Sequence, residues 1–179
     1  STAFPKLNIE GQFYTKNEIE TLNRYAGIRG VEIIPEIDLP GHAKVFNDTY
    51  PDVFSNEVTV GVTFGADTSI CVGRENAFRT IKVLIDEICE LFPNSYYIHI
   101  GGDEVDLRIY DECPRCQDYI KKKGLDGAEG LYAHTVKRLA ELVLNAGKTP
   151  IVWEGFSKKY AHKISKDVIV AAWESYYNL

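Results

Sequence analysis

Residues 96–104 read Tyr-Tyr-Ile-His-Ile-Gly-Gly-Asp-Glu, a short apolar run that ends in two glycines and two carboxylates. Its aromatic and β-branched residues favour a strand over residues 96–100. A helical repeat lies on either side, with apolar residues three and four positions apart from Phe78 to Leu91 and again from Leu131 to Val143. The run is therefore predicted to be a strand between two helices of an α/β fold.

The alternation of helices and strands continues in both directions. The capping-box spacing of Thr15 and Glu18 predicts a helix that ends near Gly30, and the run Asp126-Gly127-Ala128-Glu129 is predicted to cap a helix that ends at Gly147. The remaining predicted elements are a helix over Pro114–Lys123 that stops at Gly124, and strands over Val31–Ile37, Thr149–Trp153 and Val168–Trp173. Such alternation implies parallel strands joined by right-handed crossovers. Since no Gly-rich phosphate-binding motif marks a nucleotide-binding open sheet, a barrel is favoured.

The composition of the 179 residues is that of one packed domain over residues 1–179, with 45% hydrophobic, 12% aromatic and 26% charged residues. The net charge of −6 offers no basic surface, so nucleic acid and anionic membranes are not expected partners. No apolar run approaches the roughly 18 residues that span a bilayer. Met is absent, so Ser1 is not expected to be the translational start, and any targeting signal is expected to lie outside this sequence.

The four cysteines are too few for a disulfide-rich scaffold. Cys113-Pro114-Arg115-Cys116 has the spacing of a zinc knuckle, but a zinc site of four cysteines needs a second pair, and Cys71 and Cys89 are not spaced as one. Two thiols or one local disulfide are therefore favoured over structural zinc.

The polar residues at the predicted strand ends indicate a site, because the active sites of parallel α/β folds lie at the carboxyl ends of the strands. The strand ends read Asp38-Leu39-Pro40-Gly41-His42, Gly101-Gly102-Asp103-Glu104, Trp153-Glu154 and Trp173-Glu174. On a regular strand Asp103 and Glu104 point to opposite faces, so they can act on one ligand only if the strand breaks at the glycines. Two nearby carboxylates favour one protonated and one ionised group, as acid catalysis requires. The alternative is a helix N-terminus bearing acids, which leaves the two glycines unexplained.

Two long motifs closely resemble the β-N-acetylhexosaminidases of glycoside hydrolase family 20. One runs from Val31 to His42, and the other is His99-Ile100-Gly101-Gly102-Asp103-Glu104-Val105; the resemblance extends over nearly the whole chain. It implies a (β/α)8 barrel of the TIM type that removes terminal β-linked N-acetylglucosamine or N-acetylgalactosamine with retention and substrate assistance. Glu104 would be the general acid and then the base, and Asp103 would hold the 2-acetamido group. The resemblance implies no cofactor and no metal, and it suggests a secreted, periplasmic or lysosomal protein.

The resemblance also assigns supporting roles. Asp38 and His42 would orient the two carboxylates, and Trp153, Trp173 and Glu154 would contact the sugar. Strand alternation places Glu36 and His99 one layer deeper, where they are predicted to pair. Without the resemblance, a turn-capping Asp38, a surface His42 and tryptophans of the core are the ordinary interpretations.

Four predicted strands are about half of a barrel, and they resemble the third to sixth strands of the family. The family's arginine on the first strand and the functional segments of its second, seventh and eighth strands have no counterpart here. Weak or no hydrolysis is therefore expected from this chain alone, and its exposed sheet edges predict self-association. Two alternatives are a metal-dependent barrel hydrolase that uses Asp38, His42, Asp103 and Glu104 as ligands, and a non-catalytic sugar-binding or scaffold fragment.

Overall fold

The structure is a computed structural model that describes residues 1–56, 58 and 69–173. Its elements are two short 3₁₀ helices, seven α-helices and three β-strands among these residues. The 3₁₀ helices are Pro5–Leu7 and Lys158–Lys163, and the other elements are α1 (Lys16–Gly27), α2 (Lys44–Thr49), α3 (Pro51–Phe54), α4 (Glu75–Leu91), β1 (Tyr97–His99), α5 (Arg108–Glu112), α6 (Pro114–Lys123), α7 (Gly127–Asn145), β2 (Thr149–Trp153) and β3 (Ile169–Ala171).

The helix ends largely follow the local signals in the sequence. The Thr15 hydroxyl accepts a hydrogen bond from the Glu18 N–H, and the Glu18 carboxylate accepts one from the Thr15 N–H at 2.7 Å, which completes the predicted capping box. α6 has its predicted bounds and ends at Gly124 in a left-handed conformation. Asp126 occupies the predicted N-cap position of α7, but its side chain makes no capping hydrogen bond and binds Lys159 and Tyr160 instead.

The three strands form a parallel sheet in the order β1, β2, β3. Residues 35–39 lie beside β1, where the Ile37 N–H donates to the His99 carbonyl at 2.9 Å and the His99 N–H donates to the Pro35 carbonyl at 2.9 Å. The predicted strand over Val31–Ile37 is wrong in extent, because only Glu36 forms a bridge with His99. Pro35 lacks the N–H that a longer ladder needs.

The four parallel segments follow one another in space as they do in the chain, which is the arrangement of part of a (β/α)8 barrel. The last strand is shorter than the predicted Val168–Trp173, and only a 3₁₀ helix connects it to β2. Among the described residues, no helix is both long and apolar enough to cross a membrane.

The core lies between the sheet and the helices α4 and α7. The α4 side chains Ile81 and Ile85 and the α7 side chains Leu139 and Val143 are buried with strand residues in one continuous cluster. This packing fixes the carboxyl end of β1, from which the candidate site projects.

Candidate active site

The extended backbone of β1 ends abruptly in a sharp turn. Gly101, Gly102 and Glu104 all have positive φ angles, of 69°, 98° and 50°. A Cβ atom on Gly101 would lie 1.8 Å from Asp38 Oδ1, so no side chain fits there. The predicted break of the strand at the glycines is therefore confirmed. Because Glu104 has a left-handed backbone conformation, its side chain need not point to the face opposite Asp103, as it would on a regular strand.

The two carboxylates converge on one imidazole. His42 Nε2 lies 3.6 Å from Asp103 Oδ2 and 3.5 Å from Glu104 Oε2. The Asp103 side chain is 20% exposed, whereas that of Glu104 is 47% exposed. The pair thus consists of a sheltered carboxylate and an accessible one beside a common base.

Asp38 supports the turn from the neighbouring segment. Its Oδ1 accepts a hydrogen bond from the Gly102 N–H at 3.1 Å. Burial, and next the charge of Asp103, raise the pKa of Asp38 to about 6, although the Gly102 N–H and the charge of His42 act in the opposite direction. One ligand-type atom each from Asp38, His42 and Asp103 lies within 4.8 Å of the others, so the set could also hold a cation.

The predicted contact between Glu36 and His99 is present. Glu36 Oε1 lies 3.3 Å from His99 Nδ1, and it accepts a hydrogen bond from Trp153 Nε1 at 3.0 Å. The Gly101 N–H donates to the same His99 nitrogen at 3.0 Å, so Nδ1 is an acceptor and Trp153 supplies the hydrogen bond to Glu36. Burial lowers the pKa of His99 against the opposing charge of Glu36, which favours a neutral ring.

The two tryptophans are held in different ways. The Trp153 ring packs on His99 with ring centroids 4.5 Å apart. Trp173 Nε1 donates to the Glu154 carbonyl at 2.8 Å, and its side chain stays partly exposed. The backbone of Glu154 therefore holds the Trp173 ring in place. Glu174, which follows Trp173 in the sequence, lies outside the described residues.

One supporting residue was missed in the sequence. The Tyr132 hydroxyl of α7 donates a hydrogen bond to the Gly102 carbonyl, and a Cβ on Gly155 would lie 3.0 Å from each of these two oxygens. Tyr132 occupies a position of the helical apolar repeat, where it looks like an ordinary core residue, so no sequence signal distinguished it.

A thiol cluster lies beyond the active-site turn and consists of Cys71, Cys113 and Cys116. Cys71 Sγ lies 3.6 Å from Cys113 Sγ and 3.9 Å from Cys116 Sγ, and all three residues are fully buried. The prediction of two thiols at Cys113 and Cys116 is confirmed, since both are free and form no local disulfide. The sequence did not show that a third free thiol, Cys71, joins them from 42 residues away.

The three thiols differ in how well the surroundings stabilise a thiolate. Hydrogen bonds from Cys116 and Cys71, with further ones from the backbone, hold the pKa of Cys113 far below its usual value. The Cys113 side chain correspondingly raises the pKa of Cys71 to about 11. The three thiols therefore influence one another's ionisation.

Comparisons with known proteins identify related sequences and structures. The catalytic-domain model of glycosyl hydrolase family 20 matches residues 3–179. A β-hexosaminidase of Vibrio furnissii is 30% identical over 169 residues, which are 92% of this chain and 27% of that protein. The mouse β-hexosaminidase subunit beta is 29% identical over 186 residues, 98% of this chain and 33% of the mouse subunit. The chain thus spans about a third or less of these relatives.

Solved structures show the same fold. The chitobiase of Flavobacterium johnsoniae has a TM-score of 0.83 at 31% identity, covering 97% of this chain and 27% of that one. The exo-β-N-acetylglucosaminidase of Vibrio harveyi in complex with N-acetylglucosamine has a TM-score of 0.80 at 29% identity, covering 93% of this chain and 27% of that one. With its broken strand end and paired carboxylates, the chain belongs to glycosyl hydrolase family 20 and lies within that family's catalytic domain.

Proposed function

We propose that the protein containing this chain hydrolyses terminal β-linked N-acetylhexosamine residues with retention, using the substrate's own acetamido group as nucleophile. The observation that carries the proposal is the convergence of Asp103 and Glu104 on His42, at 3.6 and 3.5 Å, directly after the glycine break. Substrates are glycans that end in N-acetylglucosamine or N-acetylgalactosamine. The similar Vibrio harveyi enzyme, which was solved in complex with N-acetylglucosamine, supports this substrate class.

The two carboxylates divide the work according to their exposure. Glu104, the more accessible, donates its proton to the glycosidic oxygen as the bond to the anomeric carbon breaks. Asp103, the more sheltered, accepts a hydrogen bond from the acetamido N–H, and the acetamido oxygen attacks the anomeric carbon. Water then gives a proton to Glu104 and opens the cyclic oxazolinium intermediate from the opposite face, so the configuration is retained.

The surrounding residues position this pair. Asp38 and Tyr132 bind the N–H and the carbonyl of Gly102, the residue before Asp103, so they fix the backbone from which both carboxylates project. Trp153 and Trp173 provide aromatic surface of the kind that suits the apolar faces of sugars. His42 lies 3.6 and 3.5 Å from the two carboxylates and so helps to hold them at one point.

The test is nitrophenol release from 4-nitrophenyl N-acetyl-β-glucosaminide by the complete gene product that contains these residues. Glu104→Gln is expected to lower kcat by about 10²-fold or more, and Asp103→Asn should also lower it. Glu90→Gln, on the exposed side of α4, is the matched control and should leave the rate unchanged.

Substrate assistance has its own test. Successive fluorination of the acetamido methyl group weakens the carbonyl nucleophile, so the rate should fall with each fluorine. A rate that is independent of fluorination would contradict the proposed nucleophile, whereas equal activity of Glu104→Gln and wild type would contradict the proposed acid.

A metal-dependent hydrolase is the second candidate, because Asp38, His42 and Asp103 approach one another closely enough to share a cation. Dialysis against a strong chelator separates the two. Full activity after chelation favours the glycosidase, and a loss that a divalent cation restores favours the metal enzyme. If wild type and Glu104→Gln bound the sugar equally well and neither turned it over, the site would be a binding site only.

Produced by itself, the 179-residue chain is expected to be weakly active or inactive. A barrel of this type closes with eight strands, whereas the described residues contain four parallel segments. Two open sheet edges result, and we expect them to mediate association between copies.

A further inference from the structure

The thiol cluster is separate from the paired carboxylates and plays no part in the proposed mechanism. Cys71 lies shortly before α4, Cys113 is the residue before α6, and Cys116 lies in the first turn of α6. The three Sγ atoms all lie within 4.8 Å of one another, and all three residues are buried. Three free thiols gathered at one buried point are more than packing requires.

The backbone holds the three sulfurs in place. A Cβ on Gly73 would lie 2.6 Å from the Arg115 carbonyl oxygen and 2.9 Å from the Cys116 nitrogen, so the Cys71 segment and the start of α6 touch directly. The cluster is therefore preorganised by a contact that any side chain at position 73 would block.

Two buried hydroxyl groups lie at the same place. Tyr110 is fully buried, and its hydroxyl lies near Ser69 and within electrostatic range of Cys116 and Cys71. Neither the Tyr110 hydroxyl nor Ser69 Oγ has a well-formed hydrogen bond among the described residues. Both hydroxyls therefore add polar atoms to the buried surroundings of the thiol cluster.

The sulfur separations fit a tetrahedral ion. Sulfurs bound about 2.3 Å from a central zinc at tetrahedral angles lie about 3.8 Å apart, and the two separations from Cys71 are 3.6 and 3.9 Å. A disulfide requires about 2.0 Å, so its formation would pull two of these sulfurs together and away from the third. Thiolates are also the ligands that select zinc over hard cations.

We propose that Cys71, Cys113 and Cys116 bind one zinc ion as thiolates. Each thiol loses its proton on binding, and the fourth position of the tetrahedron is open to a further ligand. The ion joins the segment before α4 to the start of α6, and its ligand Cys113 lies nine residues after Glu104. It is a structural site that anchors the chain leaving the active-site turn.

The experiment measures zinc directly and does not depend on hydrolysis. The complete gene product is purified under reducing conditions, loaded with Zn²⁺, and dialysed against a weak chelator. Zinc is then determined by elemental analysis and by native mass spectrometry. We expect about one tightly held zinc per chain and a rise in the unfolding temperature on loading.

Single serine variants locate the ligands. Cys71→Ser, Cys113→Ser and Cys116→Ser should each lose the tightly held zinc, whereas Cys89→Ser, which alters a partly exposed thiol outside the cluster, should keep it. Wild-type protein that holds no zinc after loading would overturn the proposal, even if a variant failed to fold. A mass two hydrogens lower, with Cys71 linked to Cys113 or Cys116 in the natively produced protein, would also overturn it.

Discussion

Position 101 requires glycine for two reasons. The backbone there lies too close to Asp38 for any side chain, and its φ angle is positive. Gly101→Ala combines a left-handed conformation with an overlap against Asp38 Oδ1, so it should displace the turn and abolish hydrolysis. Gly124→Ala is the matched control, because Gly124 has a similar φ of 61° but no atom within 4 Å of a new Cβ. It should cost only the strain of about 1 to 2 kcal/mol.

The measurement is thermal unfolding of both variants alongside hydrolysis of the nitrophenyl substrate. Gly101→Ala should lose activity and more stability than Gly124→Ala, which should remain active. Equal destabilisation with full activity in both variants would show that the approach to Asp38 is not restrictive.

The raised pKa of Asp38 makes stability depend on pH. Unfolded Asp has a pKa of about 3.9, and burial raises that of folded Asp38 to about 6. Between these values the unfolded chain has lost its proton while the folded one keeps it, so the contribution of Asp38 to stability falls as pH rises from about 4 to about 6. Below about pH 4 Asp38 is protonated in both the folded and the unfolded state, so no charge is buried on folding.

Asp38→Asn removes this titration but keeps an oxygen that can accept from the Gly102 N–H. Urea unfolding of wild type and variant across pH 4 to 7 measures the difference. We expect the wild type to lose stability relative to Asp38→Asn as the pH rises through this range. A difference that is constant with pH would contradict the raised pKa.

At the scale of elements, α7 is tied to the active-site turn through one hydroxyl. Tyr132→Phe removes the hydrogen bond to the Gly102 carbonyl, and the change should cost about 1 to 3 kcal/mol if that oxygen stays buried. Tyr96→Phe, at a largely exposed tyrosine beside β1, is the control and should have little effect. Unfolding measurements and kcat together test the link, since a loss of stability without loss of kcat would confine Tyr132 to packing.

Sequence signals that act within one turn predicted their elements well. The capping box of α1, the stop of α6 at Gly124 and the bounds of β2 all appear as expected, because each depends on neighbouring residues. The strand over Val31–Ile37 failed because pairing depends on a partner 63 residues away at His99 and on the missing N–H of Pro35.

The candidate site shows the same division. Asp103, Glu104 and His42 were found in motifs that the sequence displays directly. Tyr132 and Cys71 were not, because each acts across a distance in the chain that only packing closes. Local pattern therefore pointed to the groups that we propose react, and the fold was needed to find the residues that contact and position them.

At the scale of the whole molecule, the described sheet ends in two edges that carry exposed apolar side chains. Val31 and Ile34, which precede the segment beside β1, are 58% and 43% exposed, and Ile169 and Val170 on β3 are 44% and 45% exposed. Unpaired parallel edges of this kind are templates for pairing with another chain. The 179-residue chain produced by itself should therefore associate increasingly as its concentration rises.

Sedimentation velocity over a range of concentrations measures this association. Val170→Lys places a charge on the β3 edge and should shift the chain toward the monomer, because a lysine must be desolvated before another strand can pair there. Val83→Lys, on the exposed face of α4, makes the same chemical change away from the edges and should leave association unchanged. If both variants dissociated equally, general surface charge would be the cause, and a wild-type chain that stayed monomeric at every concentration would contradict association through the edges.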